Sequence, residues 1–228
     1  MLVDTLMENI KLVDVKTNSS KSIVYFSAKK VVSFIDFLGE FCRKGQGGSG
    51  NLSYDKSFSL FEQMYNLVNG LQERGYSLSV LDIKNMIVID DSVFLYLGIE
   101  HIVPLNEREE FACIQPFYKN IYELCSPELL NIKKLPCFVS SKCIYYSIGL
   151  LIFYCLFGHD DWDARGDEEC SARGDEECSA RGDEECSSGA VNQEQIESEL
   201  QKIESTKLYL ILLSCLKMDP EERNIILF

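Results

Sequence analysis

Residues Ile144 to Gly158 read IYYSIGLLIFYCLFG, fifteen positions with no charged side chain. Nothing else in the sequence limits the fold as tightly. A helix needs roughly 20 apolar residues to cross a bilayer, so this run is too short to span one. A helix apolar on every face must then be surrounded by protein. The run predicts a central buried helix over Ser141 to Gly158, with Gly158 as its C-terminal cap, and the rest of the chain has to supply its wrapping.

At 228 residues the chain is long enough to do so as one domain. Its hydrophobic content of 46% is that of a globular protein. The N-terminus carries Asp4 and Glu8 where a signal peptide would have a basic region. A cytoplasmic, reducing compartment is expected.

The formal charge of −14 argues against nucleic acid, whose phosphates need clustered Lys and Arg, and against an anionic membrane surface. Most of that charge is local. Between residues 160 and 187 twelve acids face only Arg165, Arg173 and Arg181, a net −9 that leaves the body mildly acidic. The segment is an octamer, Ala-Arg-Gly-Asp-Glu-Glu-Cys-Ser, repeated in register from Ala164, Ala172 and Ala180. It has no large apolar residue, and its period is far below the ~20 residues of the shortest solenoid repeat. Residues 160–190 therefore read as a self-repelling, disordered acidic loop, with the RGD tripeptides a by-product of duplication.

The chain has ten cysteines but no C-x-x-C pair, and only His101 and His159. Structural zinc sites draw on closely spaced ligand pairs, so no metal is expected. Cys143, Cys155 and Cys215 sit among aliphatic and aromatic residues, where a reduced thiol serves as a small hydrophobe.

Along the chain, Asn9 to Lys16 alternates apolar and polar, Thr17 to Lys21 has turn chemistry, and Ser22 to Phe26 is β-branched and aromatic. Together they predict a hairpin. Ala28 to Cys42 carries apolar residues at 31, 32, 35, 38 and 42, and predicts an amphipathic helix. The Gly-rich loop at 44–50 lacks the G-K-[S/T] closure of a phosphate loop. Lys56 to Arg74 predicts a second helix with Phe58, Phe61, Met64, Leu67, Val68 and Leu71 on one face. Ser77–Val80, Met86–Ile89 and Ser92–Leu97 are short β-like runs, with a turn at Asp90-Asp91. Residues 99–125 lack periodicity and predict a long loop, and Val191 to Leu216 predicts one or two helices.

Several local motifs fall in the order of one known family. Glu8-Asn9-Ile10-Lys11-Leu12 resembles the H-P-N-I-x-L that opens the fourth strand of protein kinases. Gly75 to Val88 aligns without a gap with the catalytic-loop pattern G-x-x-H-R-D-L-x-x-x-N-I-L of that family. Ser92 to Gly98 stands where the strand leading into D-F-G would. Ser126-Pro127-Glu128 resembles A-P-E, and Tyr146-Ser147-Ile148-Gly149 resembles the W-S-L-G of the central C-lobe helix. Gly158 to Trp162 resembles G-x-x-P-W, and Cys215 to Arg223 resembles C-L-x-x-D-P-x-x-R. The chain thus resembles the eukaryotic protein kinases over nearly all its length. The implied fold class is α+β: a mostly helical kinase-like C-lobe over 28–228, with a vestigial β-hairpin N-lobe over 1–27.

The same resemblance implies loss of catalysis. A kinase needs one Asp to orient the substrate hydroxyl and another to hold magnesium. Here the H-R-D positions are Leu78, Ser79 and Val80, and the D-F-G positions are Tyr96, Leu97 and Gly98. Asp82 stands in place of the catalytic-loop lysine, and Asn85 alone survives of the catalytic and metal-binding set. The Gly-rich strand pair, the lysine strand and the regulatory helix have no room before residue 9, and Lys16 reads as a surface lysine. Ile144 replaces the Asp with which the central helix holds the catalytic loop. No ATP and no cofactor are expected. What the resemblance retains is an ion pair, Glu128 with Arg223, tying the A-P-E segment to the closing helices.

The expected function is that of a catalytically inactive pseudokinase serving as a protein–protein interaction module or scaffold, similar to kinase non-catalytic C-lobe domains. Phe111, Phe117, Tyr118 and Tyr122 are the candidate partner surface, with aromatic anchors of the kind that dominate interfaces; covering core left open by a missing N-lobe is an equal use for them. The alternative is a structural component of a larger assembly, such as a large DNA virus encodes; an atypical phosphotransferase fits least well.

Overall fold

The computed structural model describes residues 13–18, 24–44, 51–115, 124–158 and 193–225. The acidic repeat, most of the Gly-rich loop, and Phe117, Tyr118 and Tyr122 lie outside the described residues.

Helix α4 (Cys143–Phe157) runs through the main core, buried at every position but its last two. At Gly158 the backbone turns to φ 88°, and the Gly158 amide donates back to the Tyr154 carbonyl at 2.9 Å. Two helices flank α4. One is α2 (Tyr54–Gln72), N-capped by Ser53 and presenting Leu60, Phe61, Met64, Leu67, Val68 and Leu71 to the core. The other is α6 (Lys207–Cys215), capped by Thr206, which accepts from the Tyr209 amide. Gly149 lets α6 come close. A β-carbon there would lie 2.6 Å from that of Cys215, so a hydrogen is what fits at this crossing. Helix α5 (Gln193–Leu200) precedes α6 and buries Ile196 and Leu200 in the same core. The expected span of Val191 to Leu216 is thus two helices, separated by a 3₁₀ turn at Gln201–Ile203.

The described residues also form four small antiparallel sheets. Strands β1 (Val13–Thr17) and β2 (Val24–Ser27) pair as a hairpin whose register slips between Val13 and Lys16. Lys16 is exposed. The chain from Ala28 departs from expectation. Val31–Ser33 is a strand, β3, and the helix α1 spans Phe34–Lys44. The reason is a distant partner. β3 pairs with β5 (Met86–Ile89), placing Val31 opposite Ile89, and β5 continues the sheet to β6 (Val93–Tyr96). Asp90 fixes this junction, accepting the Lys29 and Lys30 amides at 2.8 Å each on one carboxylate oxygen. Gln63 of α2 adds a side-chain rung to β6, accepting the Phe94 amide at 2.8 Å and donating to the Ser92 carbonyl at 3.0 Å.

The span 99–125 is not a bare loop. It contains β7 (Ile102–Pro104), paired with β4 (Tyr76–Leu78), and β8 (Glu110–Cys113), paired with β9 (Cys137–Ser140). Each finds its partner about 25 residues away or more, so no local alternation announces it. A one-turn helix, α3 (Pro127–Leu130), lies between β8 and β9 in sequence. β8, β9 and α3 enclose a second, smaller core of Val80, Phe111, Cys113, Cys125, Leu129, Val139 and Cys143. Among the described residues no helix is long and apolar enough to cross a membrane.

Candidate functional site

The loop from Ser79 to Asn85 joins β4 to β5 and lies between the two cores. The Ser79 amide and hydroxyl both donate to the His101 carbonyl, at 2.8 and 3.2 Å. Val80 turns into the small core and Leu81 into the large one. This alternation anchors the loop from both sides. Leu78, just before it, is fully buried. Asp82 then caps a 3₁₀ turn over Ile83–Asn85, accepting the Lys84 amide at 2.9 Å.

Tyr96 faces this loop from the end of β6. Its ring is buried in the large core. Its hydroxyl takes a long hydrogen bond (3.4 Å) from the Asp82 amide and gives another (3.5 Å) to the Val80 carbonyl. Burial raises the pKa of the phenol. The Asp82 amide opposes that rise, and the negative charges of Asp82 and Glu100 add to it. The hydroxyl therefore stays protonated at neutral pH. Gly98 lies directly against the ring: a β-carbon there would sit 2.5 Å from the Tyr96 oxygen. Leu97 between them is exposed, and its amide donates to the Asn85 carbonyl at 2.7 Å. The Asn85 side chain donates to Glu100 at 2.7 Å.

These residues form a closed contact. Leu78, Ser79, Val80, Asp82, Asn85, Tyr96, Leu97 and Gly98 come together around one loop, whose Val80 side chain turns into the small core and whose backbone is bonded by the Tyr96 phenol. The magnesium that an active kinase holds finds no carboxylate at these two positions: the Val80 side chain has no oxygen, and Tyr96 offers a protonated phenol packed against Gly98. Among the described residues no three His, Cys, Asp or Glu side chains are grouped to hold a metal ion.

Glu128 and Arg223 form an ion pair. The guanidinium donates through both terminal nitrogens to both carboxylate oxygens, with Nη2 2.9 Å from Oε2. The same guanidinium donates to the carbonyls of Lys142, Lys217 and Met218, and stands over the Tyr146 ring at 5.1 Å. It thereby joins α3, the start of α4 and the segment after α6.

Phe111 is not surface. It is 1% exposed and packs with Val80 and Val139, because its strand turns alternate residues inward. The exposed apolar residues are its neighbours on the other face of the hairpin. Ala112 stands opposite Phe138, which is 64% exposed, and Ile114 beyond them is 76% exposed. Leu135 and the exposed Lys133 and Lys134 precede β9. Phe138 stands alone in a Lys- and Pro-flanked stretch with no periodic signal. Only the pairing with β8 shows which way it points.

No protein-family model matches the chain, and no curated protein matches it. Among solved structures it is similar to ROP2 from Toxoplasma gondii, described as a virulence factor with a protein-kinase fold and no enzymatic activity. The identity is 15% and the TM-score 0.49, over 89% of this chain and 47% of that one. The chain thus spans about half the length of the protein it matches.

Proposed function

We propose that the chain is a kinase-fold protein that has lost phosphoryl transfer and acts as a protein-interaction module. The observation that carries this reading is the Val80–Tyr96 contact. At the two positions where the resemblance calls for carboxylates stand a core valine and a buried tyrosine whose hydroxyl is tied to the loop backbone. Phosphoryl transfer depends on positioning and on metal-borne charge, and neither has a foothold there. The order of elements supports the fold: paired strands around the loop, α3 with Glu128, the buried α4, and Arg223 after the closing helix.

The docking face in this reading is the outer side of β8–β9. Ala112, Ile114 and Phe138 make an exposed apolar strip on a two-stranded sheet whose outer edges have no further strand among the described residues, and the exposed Lys133, Lys134 and Leu135 lead into β9. The strip and the lysines suit an extended partner segment carrying apolar and acidic side chains, added as a third strand. Two measurements test the proposal. Thermal unfolding with and without Mg-ATP should coincide, and a clear upward shift would sink the reading. Binding partners captured on the full chain should be lost with Phe138→Glu, at an exposed position where the fold tolerates charge. Unchanged capture would move the interface elsewhere.

A further inference from the structure

The inner face of the β8–β9 hairpin carries two sulfurs at one rung. Cys113 and Cys137 are direct cross-strand partners, two positions beyond the buried pair Phe111 and Val139. Residues opposed across an antiparallel ladder project to the same face with Cα atoms roughly 4.5–5.5 Å apart, inside the approximately 4.4–6.8 Å that a disulfide bridges. The exposure of the two cysteines differs. Cys113 is buried at 4%, whereas Cys137 is only partly covered, and both are free thiols. Cys125 and Cys143 are closed off in the same small core.

We infer that Cys113 and Cys137 form a reversible disulfide site that responds to peroxide. The half-covered Cys137 reacts first: its thiolate attacks one peroxide oxygen, the O–O bond breaks, and hydroxide leaves to become water. Cys137 is then a sulfenic acid, oxidised by two electrons. Cys113 gives up its proton and attacks the Cys137 sulfur, the S–O bond breaks, and the departing hydroxide takes that proton as a second water. In sum, two thiols and one hydrogen peroxide yield one disulfide and two waters. A dithiol reductant returns both thiols by exchange. Burial covers Cys113 and pushes its thiol up, so Cys113 is the poorer first nucleophile toward peroxide and serves as the resolving thiol, attacking the sulfenic acid held at the same rung.

The bond would close a covalent ring around α3, the helix whose Glu128 holds Arg223, and would lock the rung behind Phe138. The chemistry needs only the two sulfurs and does not depend on the interaction role proposed above.

The test uses the full chain, reduced and then exposed to hydrogen peroxide, with remaining thiols alkylated in denaturant before non-reducing peptide mapping. The expected product is a peptide pair joined through Cys113 and Cys137, lighter by two hydrogen atoms and released by dithiothreitol. Cys137→Ser, at a partly solvent-exposed position, should abolish it, and Cys155→Ala should leave it in place. Two results would overturn the proposal: Cys137 joined to Cys170, Cys178 or Cys186 of the acidic repeat, or Cys137 carried to sulfinic acid while Cys113 is recovered as a free thiol.

Discussion

Arg223 grips Glu128 through a two-pronged contact across 95 residues of sequence, with its side chain wholly withdrawn from water. An arginine so placed cannot shed its charge, so the carboxylate is what makes its burial tolerable. Removing one partner strands the other. Arg223→Met and Glu128→Gln are each expected to lower stability by roughly 3–5 kcal/mol. The double variant should lose less than the sum of the two. Urea unfolding of all four proteins measures the coupling, and strictly additive losses would mean that the pair acts as two independent anchors.

Val80 and Tyr96 allow a test in the opposite direction. If the site were a kinase site lacking only its acids, restoring them would restore metal and nucleotide binding. Val80 is instead part of the small core, where a carboxyl group has no partner. Val80→Asp is expected to destabilise the protein by about 3 kcal/mol or more, and Val80→Asp with Tyr96→Asp should gain no Mg-ATP-dependent thermal shift. Tyr96→Phe removes only two long hydrogen bonds, so its cost should stay below about 1 kcal/mol. Chemical denaturation and thermal shift read both outcomes.

The helices were legible in sequence where their own periodicity was enough. Phe58, Phe61, Met64, Leu67, Val68 and Leu71 lie on one stripe of α2, and the uncharged run from Ile144 could only be interior. What was lost depended on partners far away. Val31 and Val32 fit a helical stripe as well as a strand, and β5 decided between them. A local signal did exist: Ser33 accepts the Asp36 amide at 3.0 Å and donates to the Asp36 carboxylate at 2.6 Å. This is a variant of the S-x-x-E capping box that sets the start of α1 at Phe34. Phe111, a lone aromatic in an aperiodic stretch, has no face in the sequence until β9 gives it one. The Val80–Tyr96 contact was half legible. The sequence marked the two residues as out of character, but only the fold shows the ring packed against Gly98 and the hydroxyl bonded to the loop.

Gly149 offers a packing test away from the loop. α4 and α6 cross at this glycine, and an alanine methyl would meet the Cys215 β-carbon at 2.6 Å and Leu216 at 3.2 Å. The first is the stiff root of a helix residue, so the helices themselves must part. Gly149→Ala raises helix propensity by close to 1 kcal/mol, yet overpacking costs typically 1–3 kcal/mol. A net loss is expected. A gain in melting temperature would mean that the crossing is looser than its geometry indicates.

Alkaline pH should unfold this protein unusually readily, through thiols it hides. Burial raises the Cys125 thiol from its ordinary 9.0 to about 12, and raises Cys143, Cys155 and Cys215 as well. In the unfolded chain these groups lose their protons near 9. In the folded chain they keep them, so the native state binds more protons above that point. Stability must then fall as pH rises. The contribution is intact below pH 9 and is lost progressively from there to about 12 for Cys125. The buried hydroxyls of Tyr96 and Tyr145, also raised by burial, steepen the same slope from about pH 10 upward. Urea midpoints measured at intervals from pH 7 to 10.5 should be flat at first and then drop. Cys155→Ala removes one of these hidden protons. It should start less stable at pH 7 because of the atoms lost from the core, yet decline less steeply above pH 9. A variant that kept the full slope would show that Cys155 ionises in the folded chain as easily as in the unfolded one.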